Sequence, residues 1–168
     1  MVRVRPAVLG DARDLARVHV ESWRWAYAGL LPPAYLDGLS EARRERFWTG
    51  FIGRVATRTA TWVAHDASGC CGLASAGPAR PEEVGVGEVY TLYVSARSAG
   101  RGVGHALLAY VVAQLKVMLF GSAMLWVLEQ NQRARRFYER EGWWPDGARG
   151  SEDLARLSLP TVRYRRAL

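Results

Sequence analysis

Apolar positions along this chain switch between the alternation of β-strands and the spaced recurrence of amphipathic helices, and the switches predict its elements in turn. Residues 3–8 form a short strand. Asp11, with Asp14 three residues on, starts a helix that runs to about residue 28 and stops at Gly29, after which Leu31-Pro32-Pro33 breaks the chain. A second helical stretch from Ser40 carries Phe47, Trp48 and Phe51. Two β runs, 61–65 and 70–76, are joined by the turn Asp66-Ala67-Ser68-Gly69, and residues 77–86, rich in Gly and Pro, form a loop. Then come a strand at 87–94, a helix at 102–119, a buried apolar strand at 123–128 and a helix at 132–141 with Asn131 as N-cap and Gly142 as its αL terminator. Alternation at Thr161-Val162-Arg163-Tyr164-Arg165 predicts a final strand. The order is β-α-α-β-β-β-α-β-α-β, with no internal repeat, low-complexity tract or linker.

The turn after the 87–94 strand carries the most chemistry. In Gly100-Arg101-Gly102-Val103-Gly104-His105 the glycines allow φ > 0 and a close approach to the backbone, just where a helix begins and its first N–H groups lack partners. Such a turn suits a diphosphate, although tight turns without a ligand use the same residues. A dinucleotide fingerprint would need glycine where the chain has His105 or Leu107, and residues 116–127 offer no acidic partner for a ribose. A Walker A loop would end in Gly-Lys-Ser/Thr, but Lys116 sits inside the helix. Both common nucleotide motifs are excluded.

Composition narrows the class. With 168 residues, 49% hydrophobic and 23% charged, the chain is expected to fold as one domain over 1–168. Arg3 and Arg5 are followed by no apolar h-region and no run approaches about 18 apolar residues, so a cytoplasmic protein without a membrane partner is expected. Cys70 and Cys71 are adjacent, too close for an ordinary disulfide and without a His or carboxylate cluster for a metal, and read as buried strand residues. The net charge of +7 comes from arginines spread along the chain, with no helix-turn-helix, zinc-finger or RNP pattern, so no nucleic-acid partner is expected. Positive potential of this kind aids capture of a polyanionic ligand. Arg133, Arg135, Arg136 and Arg140 form its densest cluster.

Strand 87–94, the G-x-G-x-G turn and the Leu107-Leu108 helix resemble motif A of the GNAT acetyltransferases, and Asn131-x-x-Ala134-x-x-Phe137-Tyr138-x-x-x-Gly142-Trp143 resembles their motif B, which usually ends in Gly-Phe. Together these span 87–143. Aligning the family turn Q/R-x-x-G-x-G/A on Gly102 and Gly104 puts Ala99 where Gln or Arg is expected; a shifted match would use Arg97, Gly100 and Gly102. The resemblance implies an α/β GNAT acyl-CoA N-acyltransferase fold, a mixed central β-sheet splayed at the cofactor site and flanked by helices. It also implies acetyl-CoA as co-substrate and, as in many members, a homodimer.

It further implies site residues. Main-chain groups of Leu92, Tyr93 and Val94 would hold the pantetheine arm, and those of Gly100, Arg101, Gly102, Val103, Gly104 and His105 the diphosphate, with Asn131 and Ala134 from motif B also at the cofactor. Glu88, on the face shared with Tyr90, Leu92 and Val94 by strand alternation, falls where histone-type members place their general base. Tyr138 matches the tyrosine that protonates the departing thiolate. The segment after the first helix overlies the acceptor pocket in the family, so Trp23 and Tyr27 are expected to line it, with Trp25, Tyr35, His19 and Glu21 as further polar or aromatic neighbours. The expected reaction is direct transfer to a primary amine, of a small molecule or else of a protein lysine or N-terminus. A domain that binds acyl-CoA without turnover is the alternative from another class.

Overall fold

A computed structural model describes residues 1–54 and 58–168. Seven strands form one mixed sheet: β1 (Arg3–Pro6), β2 (Ala60–Asp66), β3 (Gly69–Pro78), β4 (Val86–Val94), β5 (Ser122–Leu128), β6 (Trp144–Leu154) and β7 (Leu157–Ala167), in the spatial order β1-β2-β3-β4-β5-β7-β6. Among the described residues only β4 and β5 pair as parallel strands. The helices are α1 (Ala12–Ala26), the short α2 (Pro33–Asp37), α3 (Glu41–Ile52), α4 (Val103–Val117) and α5 (Gln132–Arg140). No helix among the described residues is long and apolar enough to cross a membrane.

Two apolar clusters cover the two faces. On one, α1 and α3 bring Leu15, Val18 and Trp48 onto Val63 and Leu73. On the other, α4 lays Leu107, Leu108, Val111 and Leu115 over Ala74, Ala76, Val89 and Leu125. Each fully buried Leu or Val there stabilises the fold by about 1.5–3 kcal/mol. Cys70 and Cys71 are free and buried, and burial pushes both thiols up to about 11, which leaves them inert at neutral pH. Asp11 begins α1 as expected but not as a side-chain cap: its carboxylate accepts from the Val8 N–H at 2.8 Å and from both Arg5 terminal nitrogens at 2.7 and 2.8 Å, tying β1 to the helix.

Pairing of β3 with β4 shifts between Ser75 and Ala76, leaving Tyr90 as the extra residue of a bulge. The shift changes which residues share a face. Glu88, Thr91 and Tyr93 stand opposite Gly77, Ser75 and Leu73, on the α1 side, whereas Val89, Leu92 and Val94 stand opposite Ala76, Ala74 and Gly72, on the α4 side. Simple alternation, which joins Glu88 to Leu92 and Val94, fails at this bulge.

The strand β6 is absent from the sequence expectation, and β7 is longer than the predicted 161–165. Pro145, Gly147 and Gly150 interrupt any alternation there, yet β6 is an edge strand with only β7 beside it, a place where proline and a register shift are tolerated. Its two-residue hairpin loop is Ala155-Arg156, both at positive φ (53° and 64°), where Asn-Gly would have announced the turn. Replacing Ala155-Arg156 by Asn-Gly should relieve this conformation and stabilise the protein by about 1–2 kcal/mol, read as a higher unfolding midpoint. A lower midpoint would show that the two side chains matter more than the backbone.

Candidate active site

Parallel pairing of β4 with β5 is confined to Val86, Gly87 and Glu88 against Ser122, Ala123 and Met124. Beyond that point the strands separate. Residues 89–94 keep their ladder to β3 but turn an unpaired row of main-chain donors and acceptors toward a cleft of about 470 Å³. Leu92, Tyr93 and Val94 line one wall, residues 125–128 of β5 the other. Volume and shape fit a small-molecule site.

One end of the cleft is the start of α4. Gly100 and Gly102 sit at φ 74° and 80°, with Gly102 as the N-cap, and the first intrahelical bond is donated by the Ala106 N–H to the Gly102 carbonyl at 3.0 Å. The preceding N–H groups of Val103, Gly104 and His105 therefore lie in the unpartnered first turn, which favours an anion. Gly104 serves packing instead: a Cβ there would stand 3.3 Å from the Phe137 ring of α5. Gly100, Gly102, Gly104 and His105 line the cleft, whereas Arg101 projects outside it and the Val103 side chain is buried in the core. Ala99 also lines it, while Arg97 donates to the Cys70 carbonyl at 3.2 Å, so the shifted motif alignment finds its arginine turned toward β3.

The helix α5 closes this end. His105 Nδ1 lies 2.8 Å from Glu141 Oε2, bridging α4 to the end of α5, and Arg140 joins the lining. The arginine cluster divides: Arg135 donates to the Tyr164 hydroxyl and the Glu129 carbonyl, each at 3.2 Å, Arg136 is exposed, and Arg133 lies 3.6 Å over the Trp25 ring across the cleft. Asn131 caps α5 as expected, its Oδ1 accepting from the Ala134 N–H at 3.1 Å, and both residues line the cleft.

Tyr138 lines the cleft beside Tyr93 and has no hydrogen-bond partner among the described residues. Its phenol is raised above the usual range by burial first and by Tyr93 second; Tyr93 is raised to about 12, again chiefly by burial. Tyr27, just past α1, is raised well above 10 by burial and then by Tyr93, Glu152 and Tyr138. These phenols carry their protons at neutral pH. Trp23 meets Tyr27 edge-on at 4.9 Å, and both line the opposite end of the cleft. His19 sits behind this wall, 4.7 Å from the Tyr93 ring and 5.3 Å from Trp23, with both nitrogens unpartnered and its pKa lowered to about 3 by burial and then by Arg44. It is a neutral packing group. Glu21 lies outside the cleft, 3.4 Å from Arg17; Tyr35 packs behind Trp23.

Glu88 is not brought into the cleft. It stands where β4 is still paired with β5, before the strands part, and on the α1 face its buried carboxylate accepts from the Arg80 main-chain N–H at 2.7 Å, from Nη2 at 2.9 Å and from Nε at 3.3 Å. Arg80 in turn lies 3.9 Å over the Tyr90 ring, whose hydroxyl donates to the Pro78 carbonyl at 2.6 Å. A carboxylate held this way ties down the β3–β4 connection, and Glu88, expected from the sequence as the base, stands outside the cleft lining. A carboxylate that does reach the cleft is Glu152 of β6. Sequence reasoning missed it because β6 carried no strand signal.

A family model described as the acetyltransferase (GNAT) family matches residues 18–143. The chain is 39% identical over 133 residues to the uncharacterized N-acetyltransferase YuaI of Bacillus subtilis, covering 78% of this chain and 74% of that one. It is 28% identical, over 98% of this chain and 92% of the other, to the probable N-acetyltransferase Rv2775 of Mycobacterium tuberculosis. In fold it resembles the PaiA N-acetyltransferase of Thermoplasma acidophilum, solved in complex with coenzyme A, at a TM-score of 0.79 and 19% identity over 100% and 99% of the two chains. The ribosomal-protein-alanine N-acetyltransferase of Brucella melitensis follows at 0.77 and 19%, over 99% of each. Given a family match across most of its length and a relative at this identity, the chain belongs to the GNAT acetyltransferase family.

Proposed function

We propose that this protein uses acetyl-CoA to acetylate the primary amine of a small molecule, by direct transfer within the cleft between β4 and β5. The observation that carries the reading is the unpaired main-chain edge of residues 89–94, which ends at the glycine turn before α4. The pantetheine amides would pair with that edge as an added strand does, and the diphosphate would sit on the N–H groups of Val103, Gly104 and His105, near Arg140. Coenzyme A bound in PaiA supports the same use of the fold. Buried free thiols suit a reducing, cytoplasmic setting.

The reaction needs a deprotonated amine, an acyl carbon held against it and a proton for the leaving sulfur. Binding both substrates in one cleft supplies most of the rate. Tyr138, neutral and unpartnered, gives its phenolic proton to the thiolate as the C–S bond breaks. The acceptor enters from the Trp23 and Tyr27 end. There the tip of the β6–β7 hairpin, through Leu154, Ala155 and Leu159, packs with Trp23, Leu31 and Leu36, and this closure supports a small acceptor over an extended peptide.

Three outcomes test this. Acetyl-CoA should raise the unfolding temperature of the wild type in a concentration-dependent way, and Gly102→Val, a β-branched residue at φ 80°, should abolish the shift in a folded protein; an undiminished shift would remove the α4 turn from the site. Tyr138→Phe should lower kcat roughly 10-fold to 10³-fold, less for a donor with a more acidic thiol, at nearly unchanged stability. Wild-type kcat with chemistry rate-limiting would leave the tyrosine a packing role. Glu88→Gln should keep kcat/KM within about 3-fold and leave the pH–rate profile unchanged, while costing about 1 kcal/mol of stability. A loss of 10²-fold that recovers at high pH would restore Glu88 as the base.

A further inference from the structure

Two carboxylates line the cleft among the described residues, and only one is committed. Glu141 is held by His105 at the α4 end. Glu152, at the other end, accepts no hydrogen bond and forms no ion pair among the described residues, although it lies near enough to Tyr27 and Tyr93 to raise both phenols. It faces three titratable or charged groups, each from a different element: Tyr27 after α1, Tyr93 on β4 and Arg80 from the β3–β4 connection. Arg80 already gives its fork to Glu88, so Glu152 remains without a cation in contact.

Its position is built by the hairpin. Glu152 pairs in register with Leu159, and Leu159, Leu154 and Ala155 are pinned against the α1–α2 segment around Trp23, Leu31 and Leu36. Aromatic rings of Trp23, Tyr27 and Tyr93 thus share the cleft with one free carboxylate. The uncommitted groups differ along the cleft: at the α4 end free N–H groups and Arg140 remain while Glu141 is held by His105, and at the other end Glu152 stands beside ring faces while Arg133 is stacked on Trp25. That division sorts a polyanionic donor from a cationic acceptor.

We propose that Glu152 receives the acceptor ammonium and takes its proton, and that the acceptors are small primary amines without a carboxylate beside the amine. This rests on the acetyl-transfer reading above. The ammonium gives one proton to Glu152; the freed nitrogen pair attacks the thioester carbon, the C–N bond forms and the C–S bond breaks. The thiolate takes the Tyr138 proton, the second proton lost by the nitrogen restores that tyrosine, and Glu152 releases its own to solvent. Although the side chain is open to solvent, the surrounding walls raise its pKa, with Arg80 opposing, which makes it a stronger base than a free carboxylate. An α-carboxylate on the acceptor would face Glu152 at close range and be repelled.

The experiment compares phenethylamine with phenylalanine as acceptors, by thiol release from acetyl-CoA, for wild type, Glu152→Gln and Glu152→Asp. Wild type should prefer phenethylamine by at least about 10²-fold in kcat/KM. Glu152→Gln should lose roughly 10²-fold or more with phenethylamine at neutral pH and regain rate as pH approaches the amine's own pKa, while its stabilisation by acetyl-CoA is unchanged; Glu152→Asp should recover part of the loss. Equal use of the two acceptors, or Glu152→Gln with wild-type kcat/KM and pH profile, overturns the assignment and leaves acetyl transfer standing. Wild type that is not stabilised by acetyl-CoA and releases no thiol with either amine overturns the underlying reading as well.

Discussion

The site depends on the limit of one strand pairing. Parallel contact between β4 and β5 stops at Glu88 and Met124, and from there the backbone of β4 is satisfied on its β3 side alone. Buried main-chain groups without partners are costly, so the edge either faces solvent or binds something with matching donors and acceptors. The cleft provides for both. The bulge at Tyr90 adds twist where the strands part, and the Glu88–Arg80–Tyr90 stack holds the connection that leads into it.

Around that edge the protein arranges charge with few ionic groups. Tyr27, Tyr93 and Tyr138 are kept protonated by burial, and His19 is kept neutral by the same cause acting with the opposite sign. Neutral rings therefore line the Trp23–Tyr27 end of the cleft, while main-chain N–H groups supply positive potential at the other without placing a buried lysine or arginine against the helix start. The His105–Glu141 contact and the Arg133–Trp25 stack join elements across the cleft, so its width depends on α1, α4 and α5 together.

What was legible in the sequence follows from which features have local causes. Gly100, Gly102 and Asn131 announce backbone conformations and caps that neighbouring residues alone dictate, and the α4 turn and α5 appear where they were expected. Tyr138, placed by its spacing from Asn131, lines the cleft. Alternation put Glu88 on the face of Leu92 and Val94 because the bulge at Tyr90 is set by pairing with β3, which no residue on β4 signals. The strand β6 was missed because a proline-bearing edge and an Ala155-Arg156 turn owe their conformation to β7. Glu152 went with it. The Glu152 end of the cleft thus rests on tertiary contacts, and the α4 turn on local ones.

Amide hydrogen exchange with and without coenzyme A tests most directly whether the open edge of β4 and the first turn of α4 are the binding surface. Coenzyme A should slow exchange at main-chain amides within residues 92–94 and at Val103, Gly104 and His105, leaving the β6–β7 hairpin unaltered. Exchange unchanged at both segments, or protection centred on another surface, would contradict the account.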